Sequence, residues 1–108
     1  MKTFILGRTK KEVERLVPEG QIKTVRLGNT KICMSRIADN YFAFEQACPH
    51  RKADLGKGTI NKFKEVICPL HEYRFDLETG RCNQANCSDL KIFKTEISEE
   101  GLKIYMPN

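Results

Sequence analysis

Both histidines of the chain, His50 and His71, lie within three residues of a cysteine. The first pair reads Cys48-Pro49-His50 and the second Cys68-Pro69-Leu70-His71, with residues 51–67 between them. Each pair offers one soft thiolate and one imidazole, side chains that bind transition metals and zinc once deprotonated. Cys48 and Cys68 are two of five cysteines, the others being Cys33, Cys82 and Cys87. An odd number cannot pair fully within one chain, and cysteines beside histidines point to metal ligation or redox chemistry more than to a disulfide framework. On ligand types alone the set is also a Cys2His2 zinc set. Its Cys48–His50 spacer of one residue is tighter than the two to four usual in zinc modules.

The elements that must position these pairs are strands. A proline inside each pair fixes φ and removes a backbone donor, so the pairs belong to stiff loops. Residues 21–27 carry Ile22, Val25 and Leu27, and Gly28-Asn29 follows as a tight hairpin turn. Residues 31–38 carry Ile32, Met34 and Ile37, Asp39-Asn40 reads as a second turn, and residues 41–45 are rich in aromatics. Residues 65–68, 74–76, 92–97 and 102–105 read as further strands, with turns at Glu78-Thr79-Gly80 and Glu99-Glu100-Gly101. Short strands at this spacing predict an all-β fold, a small antiparallel β-sandwich or barrel. One helical turn is expected over residues 9–16, with Thr9 as cap, Glu12 three residues on, and Pro18 and Gly20 ending it. Residues 49–64 are basic, contain glycine and are poor in apolar side chains, and they read as a loop or insertion. The cysteine–histidine pairs thus sit at strand ends facing such loops, and each strand end presents one thiol and one imidazole to a shared point.

The motifs C-x-H and C-x2-H on two facing loops resemble the Rieske iron–sulfur proteins, and among them the short, soluble Rieske-type ferredoxins. The likeness runs from the strand at 21–27 and the lead-in Tyr41-Phe42-Ala43-Phe44 to the first pair. It continues through Cys68-Pro69-Leu70-His71, Arg74-Phe75-Asp76 and Glu78-Thr79-Gly80 to the final hairpin. It implies a single domain over residues 1–108 with an inserted cluster-binding subdomain at about 46–73, and one [2Fe-2S] cluster. By this resemblance Cys48 and Cys68 bind the inner iron, and His50 and His71 bind the outer iron near the surface. Neutral imidazoles in place of two anionic thiolates leave such a cluster less negative and raise its potential. The implied role is one-electron transfer without substrate turnover, from a flavin-dependent reductase to an oxygenase or other redox enzyme. No histidine is left over for the 2-His-1-carboxylate iron site of a Rieske oxygenase.

High-potential members of the family carry an extra cysteine in each cluster loop, joined as a disulfide, and hydroxyl donors two and four residues after the second histidine. Here the first loop reads His50-Arg51-Lys52-Ala53, the second holds Pro69 and Leu70 between its ligands, and the two later positions are Tyr73 and Phe75. Phe75 cannot donate, so a potential at the low end of the Rieske range is expected, roughly −150 mV. Two departures stand out. Glu72 occupies a place where relatives commonly have glycine, and residues 81–90 lack the proline often found in the loop over the cluster.

The remaining features bound the reading. A chain of 108 residues suits one domain, and with 40% hydrophobic residues it can build a core. The net charge of +5 suits acidic protein partners, nucleic acid or anionic membranes and does not choose among them. The basic residues Arg51, Lys52, Lys57, Lys62 and Lys64 flank the ligands, and they read either as a solvated surface or as steering charge for a redox partner. No aromatic platform accompanies them, so no nucleic-acid partner is expected. The apolar run at the start ends after Leu6, and no stretch approaches a membrane span, so neither export nor membrane insertion is expected and the compartment is taken as the cytosol. Cys33, between Ile32 and Met34, reads as a core or edge residue, and Cys82 and Cys87 as free thiols able to bridge on oxidation. Three other classes stay open: an electron-relay subunit of a nitrite-reductase-like oxidoreductase, a redox or iron sensor, and a structural zinc module.

Overall fold

The computed structural model describes residues 2–50 and 52–107. Its larger sheet has six antiparallel strands in the order β1-β9-β8-β4-β3-β2. These are β1 (Lys2–Leu6), β2 (Ile22–Leu27), β3 (Thr30–Ile37), β4 (Asn40–Glu45), β8 (Ile92–Ser98) and β9 (Gly101–Met106). A smaller sheet, β5-β6-β7, consists of β5 (Thr59–Ile60), β6 (Glu65–Ile67) and β7 (Arg74–Asp76). The chain is therefore all-β apart from the helix α1 (Lys10–Leu16) and a 3-10 turn at Leu55–Lys57. Among the described residues no helix is long and apolar enough to cross a membrane.

The expected turns form, with one displacement. Gly28 takes a φ of 64°, and Leu27 pairs with Thr30 across the first hairpin. The second hairpin turns at Ala38-Asp39, one residue earlier than the sequence suggests, with Ile37 opposite Asn40. Ala38 has a φ of 54° there. Its N–H donates to Glu19 Oε2 (2.8 Å) and its carbonyl accepts from Arg36 Nη1 (3.1 Å), so contacts outside the turn hold an alanine where glycine would be easier.

Two strands lie outside the expected set. Residues 2–6 form an edge strand paired along β9, from Lys2 opposite Met106 to Leu6 opposite Leu102. Within the segment read as a loop, Thr59 and Ile60 pair with Ile67 and Val66. The helix forms as the cap predicts: Thr9 Oγ1 accepts from the Glu12 N–H (3.1 Å). Glu12 reaches one residue beyond a capping box, accepting from the Arg8 N–H (2.7 Å). Seven residues are too few for a helix to stand alone, and buried Val13 anchors this one to the core.

Side chains on a strand alternate between the two faces of its sheet, and here both faces of the central strands are buried. Ile32 and Met34 of β3 and Tyr41 and Ala43 of β4 join Val13, Phe93, Leu102 and Ile104 in one core. Cys33, Phe42 and Phe44 point the other way, into a second core with Leu55, Val66, Phe75, Leu77 and Leu90. Cys48 and Cys68 belong to that second core. The six-stranded sheet thus separates the helix from the region that holds the cysteine–histidine loops. Phe4 packs against the Gly28 turn, so edges β1 and β2 approach and the sheet curls.

Candidate metal centre

The two ligand loops are built alike. The first follows β4, where Leu55 N–H donates to the Gln46 carbonyl (2.8 Å) and Cys48 N–H to the Ala53 carbonyl (2.9 Å). The second leaves β6 and returns as β7, with Cys68 N–H donating to the Tyr73 carbonyl (2.8 Å). In both, the cysteine N–H reaches the carbonyl five residues on, so each cysteine is fixed at the root of its loop and each histidine lies nearer the tip. The roots are buried: Cys48 and Cys68 have 0% exposure. His50 is half-buried and His71 exposed. Asp54 braces the first root, its Oδ1 accepting from the Gly56 N–H (2.8 Å) and from Gln46 Nε2 (3.3 Å).

The second loop is backed by a close approach. A Cβ on Gly58 would collide with the carbonyl of Ile67, the residue before Cys68. Only glycine lets the segment ahead of β5 lie against the end of β6. His71 and Glu72 then take φ values of 67° and 54° in succession, a left-handed stretch that costs about 1–2 kcal/mol per non-glycine residue.

The structure brings the four predicted residues together two by two. Burial raises the Cys68 thiol above its ordinary range, a hydrogen bond from the Leu70 N–H pulls it back, and the adjacent Cys48 thiol pushes it up again. The two thiols are therefore direct neighbours. The His50 and His71 rings lie 5.6 Å apart, tilted by 58°. The four side chains form two couples, thiol with thiol and imidazole with imidazole. Among the described residues no three His, Cys, Asp or Glu side chains group around one point. Two buried thiols and two outer imidazoles fit a binuclear iron–sulfur group, which needs two protein ligands per iron, better than one tetrahedral ion.

Tyr73 contributes in a way its hydroxyl did not suggest. Its ring stacks on His50 at 3.9 Å and 14°, and so fixes the plane of that imidazole. Phe75 is fully buried beneath the loops. Cys33 lies in the same core, and burial raises its thiol to about 11.

Around the exposed imidazole the surface is mixed. Lys57, Thr59, Pro69, His71 and Glu72 line a groove of about 430 Å³, and Leu70 beside it is 41% exposed. Of the basic residues flanking the ligands, Lys52 and Lys57 are exposed, and Lys62 sits 5.5 Å over the Phe63 ring. Lys64 is paired with Glu78 (3.3 Å), and Arg51 lies outside the described residues.

Comparison with known proteins follows the same lines. The family model for the Rieske [2Fe-2S] domain matches residues 9–94. The ferredoxin component of the naphthalene 1,2-dioxygenase/salicylate 5-hydroxylase systems of a Ralstonia species is 28% identical over 94 residues, covering 83% of this chain and 86% of that protein. Ferredoxin CarAc of Metapseudomonas resinovorans is 34% identical over 83 residues, covering 74% of this chain and 76% of that one. Among solved structures, the ferredoxin of carbazole 1,9a-dioxygenase from Nocardioides aromaticivorans IC177 superposes with a TM-score of 0.80 at 19% identity, covering 96% of this chain and 97% of that one, and so shares the fold.

Proposed function

The chain belongs to the Rieske [2Fe-2S] domain family, and from that premise we propose that it is a ferredoxin whose cluster is held by Cys48, His50, Cys68 and His71. The bound cluster accepts and returns one electron at a time. The observation that carries the assignment is the pairing of two buried thiols beneath two imidazoles at the ends of similarly closed loops. Cys48 and Cys68 hold the inner iron and keep water from it. His50 and His71 hold the outer iron, and the exposed His71 edge gives a docked partner a short path to it. Stacking on Tyr73 orients His50. The two loops and the small sheet behind them act as the cluster-binding subdomain, over about residues 46–73, of a single domain.

The chain turns over no substrate of its own. Its electron comes from a flavin-dependent reductase and goes to an oxygenase or another terminal redox enzyme. Support for the acceptor class comes from the Ralstonia relative, named as a ferredoxin component of naphthalene 1,2-dioxygenase/salicylate 5-hydroxylase systems.

The test is protein purified without air, examined by absorption and EPR before and after dithionite, with iron, sulfide and zinc counted on the same sample. Expected are two irons and two sulfides per chain and a rhombic reduced signal whose mean g lies below that of all-cysteine clusters. Its midpoint potential should lie at the low end of the Rieske range, roughly −150 mV. A colourless, EPR-silent protein with one zinc would overturn the reading.

A further inference from the structure

Cys82 and Cys87 take no part in the ligand set, yet the fold brings them together. Cys82 is anchored beside β7: it bridges Phe75, its N–H reaches Asp89 Oδ1 (3.4 Å), and the next residue's N–H donates to the Arg74 carbonyl (2.9 Å). The chain then folds back on itself. Gln84 N–H points at Cys82 Sγ (3.5 Å), and Cys87 N–H closes a turn onto the Gln84 carbonyl (3.3 Å). The two side chains end on one wall of a cleft of about 620 Å³, shared with Asn83, Gln84 and Asp89.

Cys33, Cys48 and Cys68 are fully buried, whereas Cys82 and Cys87 are half-buried and reachable from the cleft. Both side chains pack against the core that contains Cys48 and Cys68, and burial raises the Cys87 thiol to about 12. The turn at Gln84 and the shared cleft thus carry the two thiols on one short folded segment against that core. In this reduced form Cys87 Sγ donates to the Ser88 carbonyl (3.4 Å), a bond that oxidation would remove. Among the described residues no three His, Cys, Asp or Glu side chains group so as to hold a metal ion, and Asp89, though near Cys82, does not complete such a set.

We infer that Cys82 and Cys87 form a modification site, a dithiol that closes to a disulfide by exchange with a small-molecule disulfide of the glutathione class. Cys82 attacks one sulfur of the small disulfide, forms a mixed disulfide and releases one small thiol. Cys87 then attacks the Cys82 sulfur and releases the second. Two protein thiols are oxidised, one small disulfide is reduced to two thiols, and protons balance. The closed form ties residues 82–87 into a small ring against the core that contains Cys48 and Cys68. The inference is independent of which residues ligate the cluster.

The experiment uses the intact, cluster-loaded protein. It is equilibrated without air in mixtures of reduced and oxidised glutathione, quenched in acid, treated with N-ethylmaleimide under denaturing conditions and digested with trypsin. Cleavage after Arg81 and Lys91 releases a peptide, 82–91, that contains both cysteines. Expected is complete loss of maleimide labelling on that peptide in the oxidising mixtures, with a mass two hydrogens lighter and the visible cluster spectrum unchanged. Cys87→Ser should stop at a mixed disulfide on Cys82. A wild-type peptide that still takes two maleimides in fully oxidised glutathione, or that carries glutathione without closing, would overturn the inference. So would bleaching of the cluster before the peptide changes.

Discussion

Glu72 follows His71 with a φ of 54°, a conformation that glycine adopts freely and glutamate does not. Replacing it with glycine should therefore raise the stability of the loaded protein by about 1 kcal/mol, read as a higher denaturant midpoint for loss of the cluster absorption. An unchanged or lower midpoint would mean that the carboxylate makes a compensating contact. The candidate ligand positions stand out at this scale because C-x-H and C-x2-H fix residue type and spacing together, and the structure sets the two imidazole rings 5.6 Å apart and lets the two thiols interact. The stacking of Tyr73 on His50 was not legible. It joins residues from different loops, and nothing local to either marks the contact.

Elements position the loops, and the tightest constraint falls between two of them. Gly58 precedes β5, and any side chain there meets the Ile67 carbonyl at the end of β6. Gly58→Ala should push the second loop root outward, costing about 1–3 kcal/mol and lowering the iron retained per chain after purification. Wild-type iron content and stability in that variant would show that the approach is not needed. The sequence announced the elements whose signals are local: the Thr9 cap, the Gly28-Asn29 hairpin and the alternation through β3 and β4. It concealed those whose cause is remote. The strand at Lys2–Leu6 exists because β9, at the other end of the chain, offers it an edge. The turn at Ala38 sits one residue early because Glu19 and Arg36 hold it there. β5 is two residues long and has no periodicity to read.

For the molecule as a whole, the net charge of +5 and the exposed Lys52 and Lys57 beside the ligand loops favour an acidic partner. The second-order rate of electron transfer to such a partner should fall about tenfold as ionic strength rises from roughly 0.01 M to 1 M, over which the Debye length shrinks from about 30 Å to about 3 Å. Lys52→Gln with Lys57→Gln should flatten that dependence. A flat response in the parent protein would return these residues to ordinary solvated surface.

The two faces of β4 carry a consequence for how the molecule comes apart. Tyr41 and Ala43 belong to the core under the helix, and Phe42 and Phe44 to the core that contains Cys48 and Cys68. Removing iron withdraws its anchor from one side of that strand only. Amide hydrogens of β5, β6 and β7 should then exchange with deuterium far faster than in the loaded protein, while those pairing β8 with β9 keep most of their protection. The metal-free chain would thus be a partly opened molecule in which one half serves as a preformed template for the other to close upon.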